Sequence, residues 1–133
     1  MSGMAPLARK YEAEVPAIIA ASTGSAAVTT EFAGVVSAVT YVPTATITGA
    51  ATDNRTISVV NRGQDGSGST VVASLNFAAG VNATGFDEKA ITLSVVANAT
   101  TVAAGDVLEL RSAAVGTGIA DPGGTAFITI ART

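Results

Sequence analysis

From Glu31 onward the chain is a series of short runs of β-branched and aliphatic residues, interrupted every few positions by Gly, Asn, Asp or Ser. No interval is left for an amphipathic helix of ordinary length. This is the pattern of short strands joined by tight turns, and it predicts a sandwich or a barrel. Arg55 to Asn61 carries Ile57 and Val59 at period two, and the loop Arg62 to Ser69 leads from it into Thr70 to Phe77, so the pair reads as a hairpin. In the second strand Val71, Ala73, Leu75 and Phe77 share one face, while Thr70, Ser74 and Asn76 share the other, as expected of a sheet with one wet side. Lys89 to Val96 repeats the alternation with Ile91, Leu93 and Val95. Two further strands, Val107 to Ala113 and Thr125 to Ala131, follow the turns Ala104-Gly105-Asp106 and Asp121-Pro122-Gly123-Gly124, where Gly supplies positive φ and Pro presets a corner. The segment Glu31 to Val42 is apolar on both faces, with Phe32, Val36 and Val42 on one and Val35, Val39 and Tyr41 on the other, and ends at Pro43. Such a strand is expected to meet a neighbouring subunit or another part of the chain on its second side. No repeat of fixed period emerges, so a solenoid or propeller is not indicated.

Residues 1–28 differ in character. They read as an N-terminal arm, extended or partly helical, attached to a domain spanning 29–133. Pro6 is placed to open a short helix in which Leu7 faces Tyr11 and Lys10 faces Glu14, with Pro16 ending it. Two turns of helix are marginal alone in water, and a disordered tail is the alternative. Leu7, Tyr11, Val15, Ile18 and Ile19 give the arm apolar side chains with which to bind a partner, and Phe32 and Tyr41 extend the set into the first strand.

One domain fits 133 residues, but hydrophobic residues are 48% of the chain and aromatics only 5%, so the core must be built from aliphatics, with Phe32, Phe77, Phe86 and Phe127 as its large pieces. A thin core without cysteine staples favours association with another subunit. Seven basic and ten acidic residues form no run of one sign. Without a basic stripe there is no basis for counterion release, and nucleic acid is not an expected partner. No stretch approaches the roughly 20 apolar residues of a membrane span, and the N-terminus lacks the pattern of a secretory signal, so neither membrane nor export is expected. The lack of Cys fits a reducing cytoplasm, though a disulfide-free extracellular β protein reads the same.

The chain contains no His and no Cys. That removes Ser-His-Asp and Cys-His nucleophiles, histidine acids and bases, and thiolate or imidazole metal sites. Asp87 and Glu88 are neighbours that diverge in an extended chain and read as turn charges, far from the paired carboxylates of glycoside hydrolysis. Glu109 and Arg111 lie on one strand face and read as a surface ion pair. The loop Arg62 to Ser69 is rich in Gly but lacks the order of a phosphate-binding loop and leads to a strand. Asp53, Asp65, Asp106 and Asp121 are single acids in turns, without the converging oxygens calcium needs. Sequons at Asn54, Asn82 and Asn98 are common by chance in a chain this rich in Thr and Asn. No catalytic residue, cofactor or metal is therefore expected.

Several phrases together give a resemblance: Asn54-Arg55-Thr56-Ile57-Ser58-Val59-Val60-Asn61-Arg62-Gly63-Gln64-Asp65-Gly66, Phe86-Asp87-Glu88-Lys89-Ala90-Ile91-Thr92-Leu93, Ala104-Gly105-Asp106-Val107-Leu108, and Gly116-Thr117-Gly118-Ile119-Ala120-Asp121-Pro122-Gly123-Gly124. Over about residues 31–133 the chain resembles the head decoration, or capsid-stabilising, proteins of tailed bacteriophages. The resemblance implies an all-β, jelly-roll-like sandwich, made in the host bacterial cytoplasm and mounted on the virion surface. It also implies self-association, commonly as a homotrimer, with the major capsid protein as partner. A receptor- or glycan-binding module of a phage tail or cell surface is the alternative, because β-sandwiches host many carbohydrate sites. Against it, the chain has no Trp and only Tyr11 and Tyr41 to lay against sugar faces.

Overall fold

A computed structural model describes residues 7–133. It contains nine strands: β1 (Ala8–Val15), β2 (Gly24–Thr29), β3 (Gly34–Pro43), β4 (Asn54–Asn61), β5 (Thr70–Asn76), β6 (Lys89–Ala90), β7 (Thr101–Val102), β8 (Val107–Val115) and β9 (Gly124–Arg132). They form two antiparallel sheets, ordered β1-β9-β3-β6 and β2-β8-β4-β5, with β7 pairing the other end of β3. Among the described residues there is no helix, and the arrangement is sandwich-like. Ile128 and Ile130 of one sheet and Ile57, Val59, Leu108 and Leu110 of the other lie in one fully buried apolar cluster.

The expected helix in the arm is corrected. Pro6 lies outside the described residues, and Ala8 to Val15 is a strand paired along its whole length with β9, from Ala8 opposite Ala131 to Val15 opposite Gly124. Its sequence, Ala-Arg-Lys-Tyr-Glu-Ala-Glu-Val, buries Tyr11, Ala13 and Val15 and exposes Lys10, Glu12 and Glu14. That is period two. The pairs that a helix would bring together, Leu7 with Tyr11 and Lys10 with Glu14, are worth a few tenths of a kcal/mol each, whereas a strand gains a full ladder and three buried side chains. Tertiary pairing wins. Residues 24–29 then enter the second sheet against β8, so this segment contributes a strand to each sheet.

Two bulges reset the alternation read from the sequence. In β3, Val36 faces Ile130 and Ala38 faces Thr129, leaving Ser37 as an extra residue. A bulge adds one residue and so reverses the side-chain parity beyond it. Val36, Val39 and Tyr41 therefore all point into the core, although simple alternation splits Val36 from the other two. In β5 the shift falls between Val71 and Ala73, so Val72 is buried and Val71 is exposed. Ala73, Leu75 and Phe77 keep their inward or partly inward places.

The segment after β6 closes one flank of the sandwich. Ile91 donates its N–H to Val39 O in the first sheet at 2.9 Å; Ser74 then donates to Thr92 O, and Ser94 to Val72 O, at the edge of the second. The chain thus crosses between sheets within three residues, and the strand expected over Lys89 to Val96 is divided between two partners. Val95, beyond the crossing, is fully exposed. Of the four phenylalanines only Phe77 is fully buried; Phe32 packs at the margin, Phe127 lies on the outer face of the first sheet, and Phe86 is 78% exposed.

Candidate functional site

The corners at one end of the sandwich are joined by a buried polar network. Arg55, the second residue of β4, is fully buried. Its Nε donates to Ile119 O at 2.8 Å, its Nη1 to Ser112 Oγ at 3.2 Å, and its Nη2 to the carbonyls of Ile19, Ala20 and Ser22 at 3.0–3.2 Å. The Ser112 hydroxyl donates in turn to Asp121 Oδ2 at 2.7 Å, and Tyr41 Oη donates to Asp121 Oδ1 at 2.8 Å. The Gly123 N–H also donates to Asp121 Oδ1, at 2.9 Å. Ile18 and Asp121 exchange both backbone hydrogen bonds, at 2.8 and 2.9 Å. Among the described residues no buried side-chain nitrogen or oxygen lacks a partner.

Burial pulls the Arg55 guanidinium below its ordinary pKa, opposed by the Asp121 carboxylate and by Tyr41. Burial, reinforced by that carboxylate and the hydrogen bond to it, pushes the Tyr41 phenol far above its ordinary range. Perturbed groups of this kind mark many active sites. Here, however, Tyr41, Arg55, Ser112 and Asp121 are each at most 1% exposed, and no substrate can touch them. The network is a brace: it satisfies loop carbonyls that would otherwise be buried without donors and fixes the two corners to both sheets.

Beside the brace, and sharing Gly123 with it, is a mostly apolar groove of about 440 Å³. One wall is the corner from Val15 to Ala17, another is Pro122 to Thr125, and Phe127 and Val42 form part of the floor. Phe86 stands at its margin. This residue adopts φ +58°, a left-handed conformation that costs an L residue roughly 1–2 kcal/mol. It is held there by its N–H, which donates to Pro43 O at 2.7 Å. Immediately before it, Gly85 lies so close to the backbone of Ala45 and Thr46 that a side chain would collide with it. An exposed aromatic ring on strained backbone is a feature to be explained by function rather than by packing.

Several of the charged residues singled out from the sequence have partners within the chain. Glu109 pairs with Arg62, through Nε at 2.9 Å and Nη2 at 2.6 Å, and not with Arg111 as expected; β4 and β8 are adjacent, and Arg62 lies at the end of that ladder. Asp65 accepts from the Ser67 hydroxyl and N–H at 2.7 and 3.0 Å, which holds its carboxyl below the usual range. Asp106 is nearly buried and accepts from Asn61 and from the Ala103 N–H at 3.0 and 2.9 Å. Asp87 accepts from Glu88 N–H within its turn. Among the described residues no three acidic side chains gather as metal ligands would.

The seven residues proposed from sequence to bind a partner are dispersed by the fold. Tyr11, Val15, Ile18 and Tyr41 lie in the chain's own core, and Tyr11 also accepts the Glu31 N–H at 2.9 Å. Phe32 is half-buried beneath the Arg132 guanidinium, 5.4 Å from its ring centre. Leu7 and Ile19 are exposed, at 52% and 74%. Phe86 was not in that set, because an isolated Phe in an alternating sequence reads as core; the acidic pair that follows it is the signal that it lies in a turn. No protein-family model, curated protein or solved structure matches the chain.

Proposed function

We propose that this protein is a structural virion component that decorates and stabilises the outer surface of a bacteriophage capsid. The observation that carries the reading is a reversal of the usual placement: Arg55, Ser112 and Asp121 are sealed inside as a brace, while Phe86, Val95 and Val96 stand 70–99% exposed. These side chains gain nothing from the chain's own core and are left available for another protein to cover. The resemblance of residues 31–133 to head decoration proteins supplies the kind of surface. Support for the jelly-roll form comes from strand order: β1-β9-β3-β6 against β2-β8-β4-β5 is the order generated when one long hairpin rolls into two facing sheets. The homotrimer rests on the thin core and on the exposed pair Val95 and Val96.

The test is attachment. Purified protein mixed with mature heads that lack it should bind saturably, at a fixed stoichiometry to the major capsid protein; indifference to heads overturns the reading. The glycan-binding alternative is weakened by the burial of both tyrosines, and saturable binding to a glycan array by protein that ignores heads would restore it.

A further inference from the structure

The groove beside Phe86 carries charge as well as apolar surface. Glu14 lines it, Glu12 lies opposite Phe127 in the strand register, and Asp87 and Glu88 follow Phe86 in the same exposed turn. The nearby cations are fewer. Lys10 lies over the Phe127 ring at 5.7 Å, and Lys89 is half-buried in β6. An apolar trough with one carboxylate in its lining and three more on the adjoining strand and turn disfavours a second copy seated about a twofold axis, because carboxylates of the two copies would approach one another as they desolvate. It favours a segment carrying the opposite charge.

We propose that this groove is a docking site for an extended, apolar segment of another protein flanked by Lys or Arg. The apolar side chains seat between Pro16, Pro122 and Phe127, the Phe86 ring closes over them, and the flanking cations meet Glu14 and the Asp87-Glu88 turn. The brace beside the groove holds both walls in place before the partner arrives, since Ile18 and Asp121 are bonded to each other and Asp121 is fixed by Tyr41 and Ser112. Preorganisation of this kind lowers the ordering cost of binding. The inference concerns the chemistry of the occupant and does not depend on the capsid reading.

The full chain, immobilised, would be offered a displayed library of random heptapeptides. Peptides recovered should place two or more apolar residues beside Lys or Arg. A synthetic peptide of the enriched sequence should lose affinity about tenfold or more on Phe86→Gly, a change that relieves the positive φ and spares the fold. A comparable loss is expected on combined Asp87→Lys and Glu88→Lys, and rising salt should weaken binding to the unaltered chain. Failure to enrich any peptide that depends on Phe86, enrichment of acid-flanked peptides, or unchanged affinity after the charge reversal would each overturn the proposal. So would self-association abolished by Phe86→Gly, which would put a second copy in the groove.

Discussion

Arg55 shows how a single residue can be misplaced by a rule about charge and recovered by a rule about period. Charged residues are rarely buried, yet Arg55, Ile57 and Val59 share one strand face, and the latter two are wholly buried. The alternation that identifies the core face therefore also puts Arg55 on it. What the alternation does not contain is the partner set, because Ile19, Ser112, Ile119 and Asp121 come from three other parts of the chain. Asp121→Asn removes the carboxylate that accepts from Ser112 and Tyr41 and balances the guanidinium through Ser112, and should cost about 1–3 kcal/mol. Arg55→Met should cost a similar amount, and the double variant clearly less than the sum, as urea unfolding in a double-mutant cycle would measure. Tyr41 gives the pH dependence. Its folded pKa is raised, so above the ordinary tyrosine value of 10.0 the unfolded chain releases a proton that the folded chain keeps, and stability falls as pH rises. Below that value it contributes no slope. Urea titrations from pH 8 to 11 should show the unaltered chain losing stability faster than Tyr41→Phe, by up to ~1.4 kcal/mol per pH unit at the alkaline end.

At the scale of elements, β3 is instructive because its bulge is invisible in composition. Val36, Val39 and Tyr41 do not fall on one face of a regular strand, and the extra residue Ser37 is what brings them together. Deleting Ser37 leaves Val36, Ala38 and Val39 in regular alternation with the same inward set and should preserve a cooperative thermal transition. Deleting Thr40 reverses the parity of Tyr41 and Val42, expels the Tyr41 ring from the brace, and should abolish that transition. Circular dichroism on the two deletion variants separates these outcomes. The N-terminal segment teaches the complementary lesson. Its charges and Pro residues suggest an appendage, but the outer positions Lys10, Glu12 and Glu14 are those a solvent-facing edge strand can afford, and charge on an edge also discourages unwanted strand pairing. Removing residues 1–28 therefore takes a strand from each sheet. The truncated chain should lose its cooperative unfolding, so head attachment is better tested with surface variants such as Phe86→Gly.

For the whole molecule, the issue is what covers the exposed apolar residues. Val95 and Val96 follow the crossing between sheets, and Phe86 projects from the turn before β6. If the chain assembles as a trimer, native mass spectrometry at micromolar concentration should give three copies as the dominant species. Combined Val95→Ser and Val96→Ser should shift the distribution toward monomer without lowering the unfolding midpoint appreciably, since both side chains lie outside the core. An unshifted distribution would move the self-contact elsewhere.

Read alone, the order of residues determined that this is an all-β chain. The turn residues recur too often for helices, and period-two patterning marks β4, β5, β8 and β9 because each has one face against the core. The lack of His and Cys likewise narrowed the available chemistry before any coordinate. Only the tertiary structure decided the fate of residues 8–29, the two bulges, the buried polar brace and the exposure of Phe86. Each of these depends on partners distant in the chain: a ladder with β9, an extra residue opposite a particular neighbour, carbonyls delivered by separate corners, and backbone crowding at Gly85. Local pattern records which face a side chain prefers, and the neighbours that the fold brings together determine which preferences are met.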